Sequence, residues 1–272
     1  LRPVQRVVAG GGVELDWSDY DRLVSGIMDG SAFEDRTAAA AWPLPFDERD
    51  PSPDLHGGPG SESYERYVAD YLRRCVAHFE QRGWLDRHFV WVPLSDETRA
   101  ERFRAFERMG RLLRQVEPRL RLVCPLSPMS LEPYGHLGDP FVDLSALVGV
   151  WCPPSAEADR AALARQRAAG KQVWLSPGRP PYTGSLSVIA SPVEAASLAW
   201  QVYRFGYDGA CLPIVNEWAG TDAPGLIGSE SQLIWPGKPY GLPGPVPSIR
   251  LKRLLRGAQD YEYLWLLDRN RR

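Results

Sequence analysis

The sequence predicts an α/β protein of the (β/α)8 TIM-barrel type, and three observations carry that prediction. Short apolar runs rich in β-branched residues alternate with longer stretches of helical period. Each helical stretch stops at Gly or before Pro a few residues ahead of the next run. A chain of 272 residues also matches a barrel of about 250 residues built as one unit, so residues 1–272 are read as a single barrel-type domain.

The strand-like runs are 6–9, 38–42, 88–94, 120–125, 147–151, 172–175 and 210–215. Between them, 61–82 carries Tyr64, Val68, Tyr71, Leu72, Cys75, Val76 and Phe79 at three-and-four spacing, with Ser61 as cap and Gly83 as stop. The same logic places helices over 98–116, over 157–169 before Gly170, over 191–205 before Gly206, and a closing helix over 247–268. Seven runs rather than eight imply a barrel lacking one or two βα units at its start, or one whose first units are weakly marked. A doubly wound open sheet fits the alternation nearly as well. Dinucleotide binding is disfavoured, because Gly10-Gly11-Gly12 has neither the later glycine nor an adjoining helix. Two segments dense in Pro, Gly, Asp and Ser, 43–60 and 220–247, are expected as loops at the barrel mouth, where active-site walls reside.

Lys plus Arg total 32 against 34 Asp plus Glu, so a net charge of −2 supplies no field to recruit nucleic acid or an anionic membrane. No apolar run reaches the roughly 20 residues of a bilayer span, and no basic-then-apolar leader stands at Leu1. Cys75, Cys124, Cys152 and Cys211 form no C-x-x-C pair and read as buried free thiols. His56, His78, His88 and His136 show no metal-ligand spacing, so neither metal nor cofactor is expected.

The strongest candidate for chemistry is Ser95-Asp96-Glu97-Thr98, where an apolar strand stops and a helix begins. In a barrel that is the carboxyl end of a strand, where catalytic groups gather. Adjacent carboxylates in a poorly solvated site raise each other's proton affinity, so one can stay protonated and act as an acid. An ordinary helix cap by Ser95 or Asp96 explains the same residues equally well on local grounds. Aromatic side chains at strand ends and in loops are natural sugar platforms, and Trp42, Trp151, Trp174, Tyr182, Trp218 and Trp235 are the candidates, with Trp174 favoured as core.

The stretch Pro247-Ser248-Ile249-Arg250-Leu251-Lys252, with Gly257 and Asp260-Tyr261-Glu262-Tyr263-Leu264, resembles the closing signature of glycoside hydrolase family 123 catalytic domains. Asp16-Trp17-Ser18, Tyr20-Asp21, Asp29-Gly30, Gly83-Trp84, Asp96-Glu97, Glu117-Pro118-Arg119, Tyr207-Asp208-Gly209, Asn216 and Trp218 occur in that family's order, so the resemblance runs from about Val13 onward. It implies a (β/α)8 barrel, usually preceded by a β-sandwich domain missing from this chain, and an extracellular or cell-envelope setting. It also implies removal of a β-linked N-acetylhexosamine, N-acetylgalactosamine above all, by a retaining, substrate-assisted mechanism on a glycan or glycoconjugate. Glu97 would be the acid, Asp96 the carboxylate that orients the 2-acetamido group, and Asn216, Trp218, Trp42, Trp151, Tyr182 and Trp235 the candidate substrate contacts. Arg250 is expected to tie the last helix to the barrel through Glu262 or Asp260.

The sequence departs from the pattern at Thr98, where proline is usual, at Arg256 and Gln259, where an acid is expected, and at Ser176 and Pro213, where aromatics are common. These changes spare the acid–carboxylate pair and bear on the sugar preference. Two alternatives stand beside this reading. One is double displacement using Glu97 and Glu217, which needs carboxyl groups about 5–5.5 Å apart. The other is a noncatalytic barrel kept for carbohydrate binding or as a structural module.

Overall fold

The computed structural model describes residues 1–7, 13–47, 49, 53–92, 99–131, 144–180, 183–212, 215–216 and 232–270. The chain divides into two compact units, Leu1–Cys124 with Pro133–Val150, and Pro125–Glu132 with Trp151–Arg272.

The first unit opens with β1 (Val4–Val7) and β2 (Val13–Asp16), paired antiparallel from Val4↔Asp16 to Val7↔Val13. The run expected at 6–9 is therefore half of a hairpin and not a parallel strand. Helix α1 (Ser18–Met28) follows, unanticipated, and buries Tyr20, Val24 and Met28, one residue per turn on a single face. The run 38–42 contracts to β3 (Trp42–Pro43). Helix α2 (Glu62–Gln81) begins as expected: the Ser61 side chain accepts from the Tyr64 N–H at 3.2 Å, and the apolar positions from Tyr64 to Phe79 are buried. Strand β4 (His88–Trp91) pairs parallel with β3, helix α3 (Arg99–Val116) follows, and β5 (Leu122–Cys124) pairs parallel with β4. Phe103, Phe106, Met109 and Leu113 of α3 are buried, as are Val90, Leu122 and Val123. Strand β6 (Val148–Trp151) lies beside β5, and a Cβ at Gly149 would stand 2.8 Å from the Arg121 Cα, so the two backbones meet where only glycine fits.

His88, buried at the start of β4, makes the first unit acid-sensitive. Its Nδ1–H donates to the Leu85 carbonyl, and its Nε2 accepts the Arg121 backbone N–H at 3.1 Å. Both ring nitrogens are thus satisfied in the neutral form. Burial first, then the Arg121 and Arg119 charges, hold its pKa below the usual value, against opposing contributions from Leu85 and Asp86. A histidine depressed in the folded state contributes stability above its unfolded pKa of about 6.5, and that stability is lost as pH falls through the folded value. Urea denaturation between pH 7 and pH 5 is expected to show this loss, at no more than about 1.4 kcal/mol per pH unit for one proton, and His88→Gln is expected to reduce the slope.

In the second unit, α4 (Pro128–Leu131) is one short turn, and α5 (Arg160–Ala168) is capped by Asp159, whose carboxylate accepts from the Ala162 N–H at 2.6 Å. Strand β7 (Gln172–Leu175) matches the expected run, and its pairing continues past its end through Ser155 N–H to Ser176 O and Ser176 N–H to Pro153 O. Helix α6 (Pro192–Phe205) has proline in its first turn and ends at Gly206, whose φ of 65° is the left-handed cap glycine accepts freely. Strand β8 (Gly209–Ala210) pairs parallel with β7, a remnant of the run expected at 210–215. Strands β9 (Ile234–Trp235) and β10 (Val246–Pro247) form an antiparallel ribbon inside the segment read as a mouth loop. Helix α7 (Ile249–Asn270) closes the chain two residues later than expected at each end. Helices α6 and α7 touch backbone to backbone, since a Cβ at Gly257 would lie 2.4 Å from the Ala196 carbonyl oxygen.

The molecule is thus α/β, with parallel strands joined by helices. Among the described residues the parallel strands are β3 to β8, six rather than the eight of a closed ring. Of the expected mouth segments, 48, 50–52 and 220–231 lie outside the described residues. Among the described residues no helix is long and apolar enough to cross a membrane.

Candidate functional site

In parallel α/β folds, ligands meet the carboxyl ends of the strands. Strand β4 ends at Trp91 and α3 begins at Arg99, so Asp96 and Glu97 fall in the connection between them, outside the described residues. Tyr182, Glu217 and Trp218 also lie outside the described residues.

Trp42 opens the short β3 strand and is half-buried. Its indole N–H donates to the Tyr20 hydroxyl at 2.9 Å. Burial pushes the Tyr20 phenol upward, so this acceptor keeps its own proton and holds the indole by a neutral bond. Both rings line a hollow of about 200 Å³ in the first unit, together with Arg2, Leu44, Pro45 and Phe46. Arg2 forms an ion pair with Asp47 at 2.5 Å. An anchored indole beside a guanidinium can stack a sugar ring and bind its hydroxyls.

Trp151 departs from its expected role. It has no exposed surface, and its indole N–H donates to Gln166 Oε1 of α5 at 3.1 Å. The side chain leaves the strand toward the covering helix, so it is core and offers no face to a sugar. Trp174, at 8% exposure, is core as the sequence favoured.

Asn216 is exposed and forms an antiparallel bridge with Gln232, while Leu233 N–H and Ile234 N–H both donate to the Val215 carbonyl, at 2.9 and 3.0 Å. This ladder joins Val215 and Asn216 to 232–234, and half-buried Trp235 follows in the β9–β10 ribbon. Leu186, Ala195 and Leu233 are buried beneath it, with Leu212, Val215, Leu251 and Leu254 packed against them.

Arg250 locks this base. Its guanidinium, 7% exposed, donates to the Gln232 carbonyl at 2.7 Å and to the Leu186 carbonyl. It is structural, as expected, and the Leu186 and Gln232 backbone carbonyls are among its partners. Asp260 accepts from the Trp200 indole at 3.2 Å and pairs with Arg256 at 3.3 Å. A sequence pairs opposite charges readily, and it carries no signal for a guanidinium that chooses loop carbonyls.

Several other residues of the closing and internal motifs are structural punctuation. Asp16 accepts from Ser18 N–H, Asp29 from Ser31 N–H and Asp208 from Val173 N–H, each fixing a turn or a strand entry. Arg119 bridges Glu117 and Glu80 at 3.0 Å each. The sequence also missed that Cys211, just after β8, meets Cys152, just after β6; hydrogen bonding from Cys152 draws the Cys211 thiol below its usual pKa. Ser176, standing where an aromatic is common, donates instead to the Cys152 carbonyl at 3.4 Å. Neither cysteine is in a disulfide.

Among solved structures, the chain is similar to a family 123 glycoside hydrolase from Clostridium perfringens whose structural analysis concerned glycolipid glycan hydrolysis. The identity is 14% and the TM-score 0.65, over 98% of this chain and 48% of that one. At that identity the likeness is one of fold, and this chain spans about half of that structure's length. Weaker likenesses, each with a TM-score of 0.43, are to a GH39 β-xylosidase from Caulobacter crescentus (16% identity; 74% of this chain, 49% of that) and an intracellular xylanase from Thermoanaerobacterium saccharolyticum (12%; 77% and 73%). No curated protein sequence matches the chain. The family model for the glycoside hydrolase 123 catalytic domain, however, matches residues 6–267, nearly the whole chain. The chain therefore belongs to glycoside hydrolase family 123.

Proposed function

We propose that this chain is the catalytic domain of a glycosidase that removes a β-linked N-acetylhexosamine, N-acetylgalactosamine foremost, by a retaining, substrate-assisted mechanism. The observation that carries the reading is the family match over residues 6–267 combined with the position of Asp96-Glu97 between β4 and α3. In the proposed reaction Glu97 donates a proton to the glycosidic oxygen as the anomeric C–O bond breaks. The substrate's own acetamide oxygen forms the new bond to the anomeric carbon. Asp96 orients the acetamide and stabilises the positive charge it gains. Water then attacks the anomeric carbon, Glu97 takes its proton, and the acetamide is released with overall retention. Adjacent carboxylates suffice, because no protein nucleophile is required on the far face of the sugar.

In this proposal the strands belong to a (β/α)8 barrel. Trp42, Tyr182, Asn216, Trp218 and Trp235 are the sugar contacts, and a β-sandwich domain accompanies the barrel in an extracellular or cell-envelope enzyme. The anchored indole of Trp42 and the ladder under Asn216 and Trp235 support those assignments.

The test is the anomer released first, followed by ¹H NMR, in the parent protein and in Glu217→Gln. Initial β-product with activity kept within about threefold in the variant is the expected result. A loss of about 10³-fold or more in Glu217→Gln, with retention, would transfer the mechanism to double displacement.

A further inference from the structure

We propose that the α6–α7 face of the second unit carries a noncatalytic carbohydrate-binding platform centred on Trp200. This rests on the glycosidase reading for its ligand class, a neutral glycan chain, and it uses none of the residues assigned to hydrolysis.

Trp200 stands mid-helix in α6 with 49% of its surface open. Solvent-exposed tryptophans on helices are ordinarily free to change rotamer, whereas this one is held. Its indole N–H donates to Asp260 Oδ2 at 3.2 Å, and the other oxygen of Asp260 pairs with Arg256 Nε at 3.3 Å. The close approach of the helices makes this possible. Ala196 and Gly257 meet backbone to backbone. One turn further along each helix, Trp200 and Asp260 therefore come side by side.

Steps of four, three and four residues along α7 put Arg256, Asp260, Tyr263 and Leu267 on one strip, of which Asp260 meets Trp200. Tyr263 is 67% exposed and Leu267 46%. The surface thus offers two open aromatic rings with a carboxylate acceptor and a guanidinium donor alongside. That combination matches a pyranose, whose C–H face buries on an aromatic ring and whose hydroxyls both donate and accept. Burying it against another protein would strip water from the Arg256–Asp260 pair, and the cores of protein interfaces are depleted of charge. A sugar leaves such a pair wet at its edge. Because Trp200 is already fixed, binding loses little rotamer freedom.

The experiment uses the full chain carrying Glu97→Gln, so that ligand persists. An oligosaccharide ending in β-linked N-acetylgalactosamine and a β-1,4-linked N-acetylglucosamine tetrasaccharide are titrated calorimetrically. The expected result is two sites for at least one of them, with one site removed by Trp200→Ala and weakened about tenfold by Tyr263→Ser. Circular dichroism verifies that both variants fold, and hydrolysis of a small chromogenic glycoside by Trp200→Ala in the otherwise unaltered protein is expected to equal that of the parent. A single site unaffected by either substitution, or no binding at all in the folded protein, overturns the proposal. Binding that depends on Trp200 in a protein that hydrolyses nothing sustains the platform while the catalytic reading falls.

Discussion

Glu97→Gln is expected to lower kcat for a β-N-acetylgalactosaminide by about 10²–10⁴-fold, the usual contribution of a general acid. The size depends on the leaving group, which gives the prediction its discriminating power. A nitrophenolate leaves with little protonation, so the variant falls toward the lower end of that range. A sugar alcohol needs the proton, so the same variant falls toward the upper end. Asp96→Asn behaves differently. It removes a charge that stabilises the cationic intermediate, so its loss of activity persists whatever leaves. Steady-state kinetics with two aglycones, on protein shown to be folded, check both statements. If the pair only caps α3, the substitutions change stability by about 1 kcal/mol and leave turnover unaltered.

Arg250→Met is expected to produce the largest loss of stability. The methionine fills much of the volume yet leaves the Leu186 and Gln232 carbonyls without the donor that meets them in a buried site. An orphaned buried acceptor costs about 1–3 kcal/mol, so the two together cost about 3 kcal/mol. For a chain of this size that corresponds to a fall in Tm of about 10 °C. Arg250→Lys recovers only part of it, because one ammonium cannot reproduce the planar fork that reaches two carbonyls. Glu262→Ala, removing the partner the sequence pattern offers, is expected to change stability by less than about 0.5 kcal/mol, since Glu262 is exposed. Thermal and urea unfolding of the three variants order them directly.

The parts of the fold legible in the sequence are those written in local chemistry. Helix α2 was marked by a serine cap, a three-and-four apolar period and a terminal glycine, and all three act as expected. Strand β7 was marked by a compact apolar run between Gly170 and Ser176. Helix α1 was legible in principle, since Tyr20, Val24 and Met28 recur every four residues, but Trp17 supplies no side-chain cap. Strands β3 and β8 were overestimated for a common reason. An apolar run does not by itself make a strand: among the described residues the ladder spans Trp42–Pro43 and Gly209–Ala210, and the rest of each run is half-buried or exposed.

The candidate site was less legible, because orientation is a tertiary property. Residue type alone cannot distinguish Trp42, anchored at a hollow, from Trp151, turned toward Gln166. The role of Arg250 depends likewise on carbonyls 64 and 18 residues away in sequence. The Asp96-Glu97 dipeptide, proposed as the catalytic pair, lies in sequence between β4 and α3.

The central claim, that the substrate's own acetamide is the nucleophile, is tested most directly by comparing hydrolysis of a chromogenic β-N-acetylgalactosaminide with the matching β-galactoside at equal concentrations. Release is expected from the acetamido sugar alone, with the 2-hydroxy sugar slower by at least about 10³-fold. Comparable release from both, by a protein free of contaminating glycosidase, would contradict it and require a nucleophile supplied by the protein.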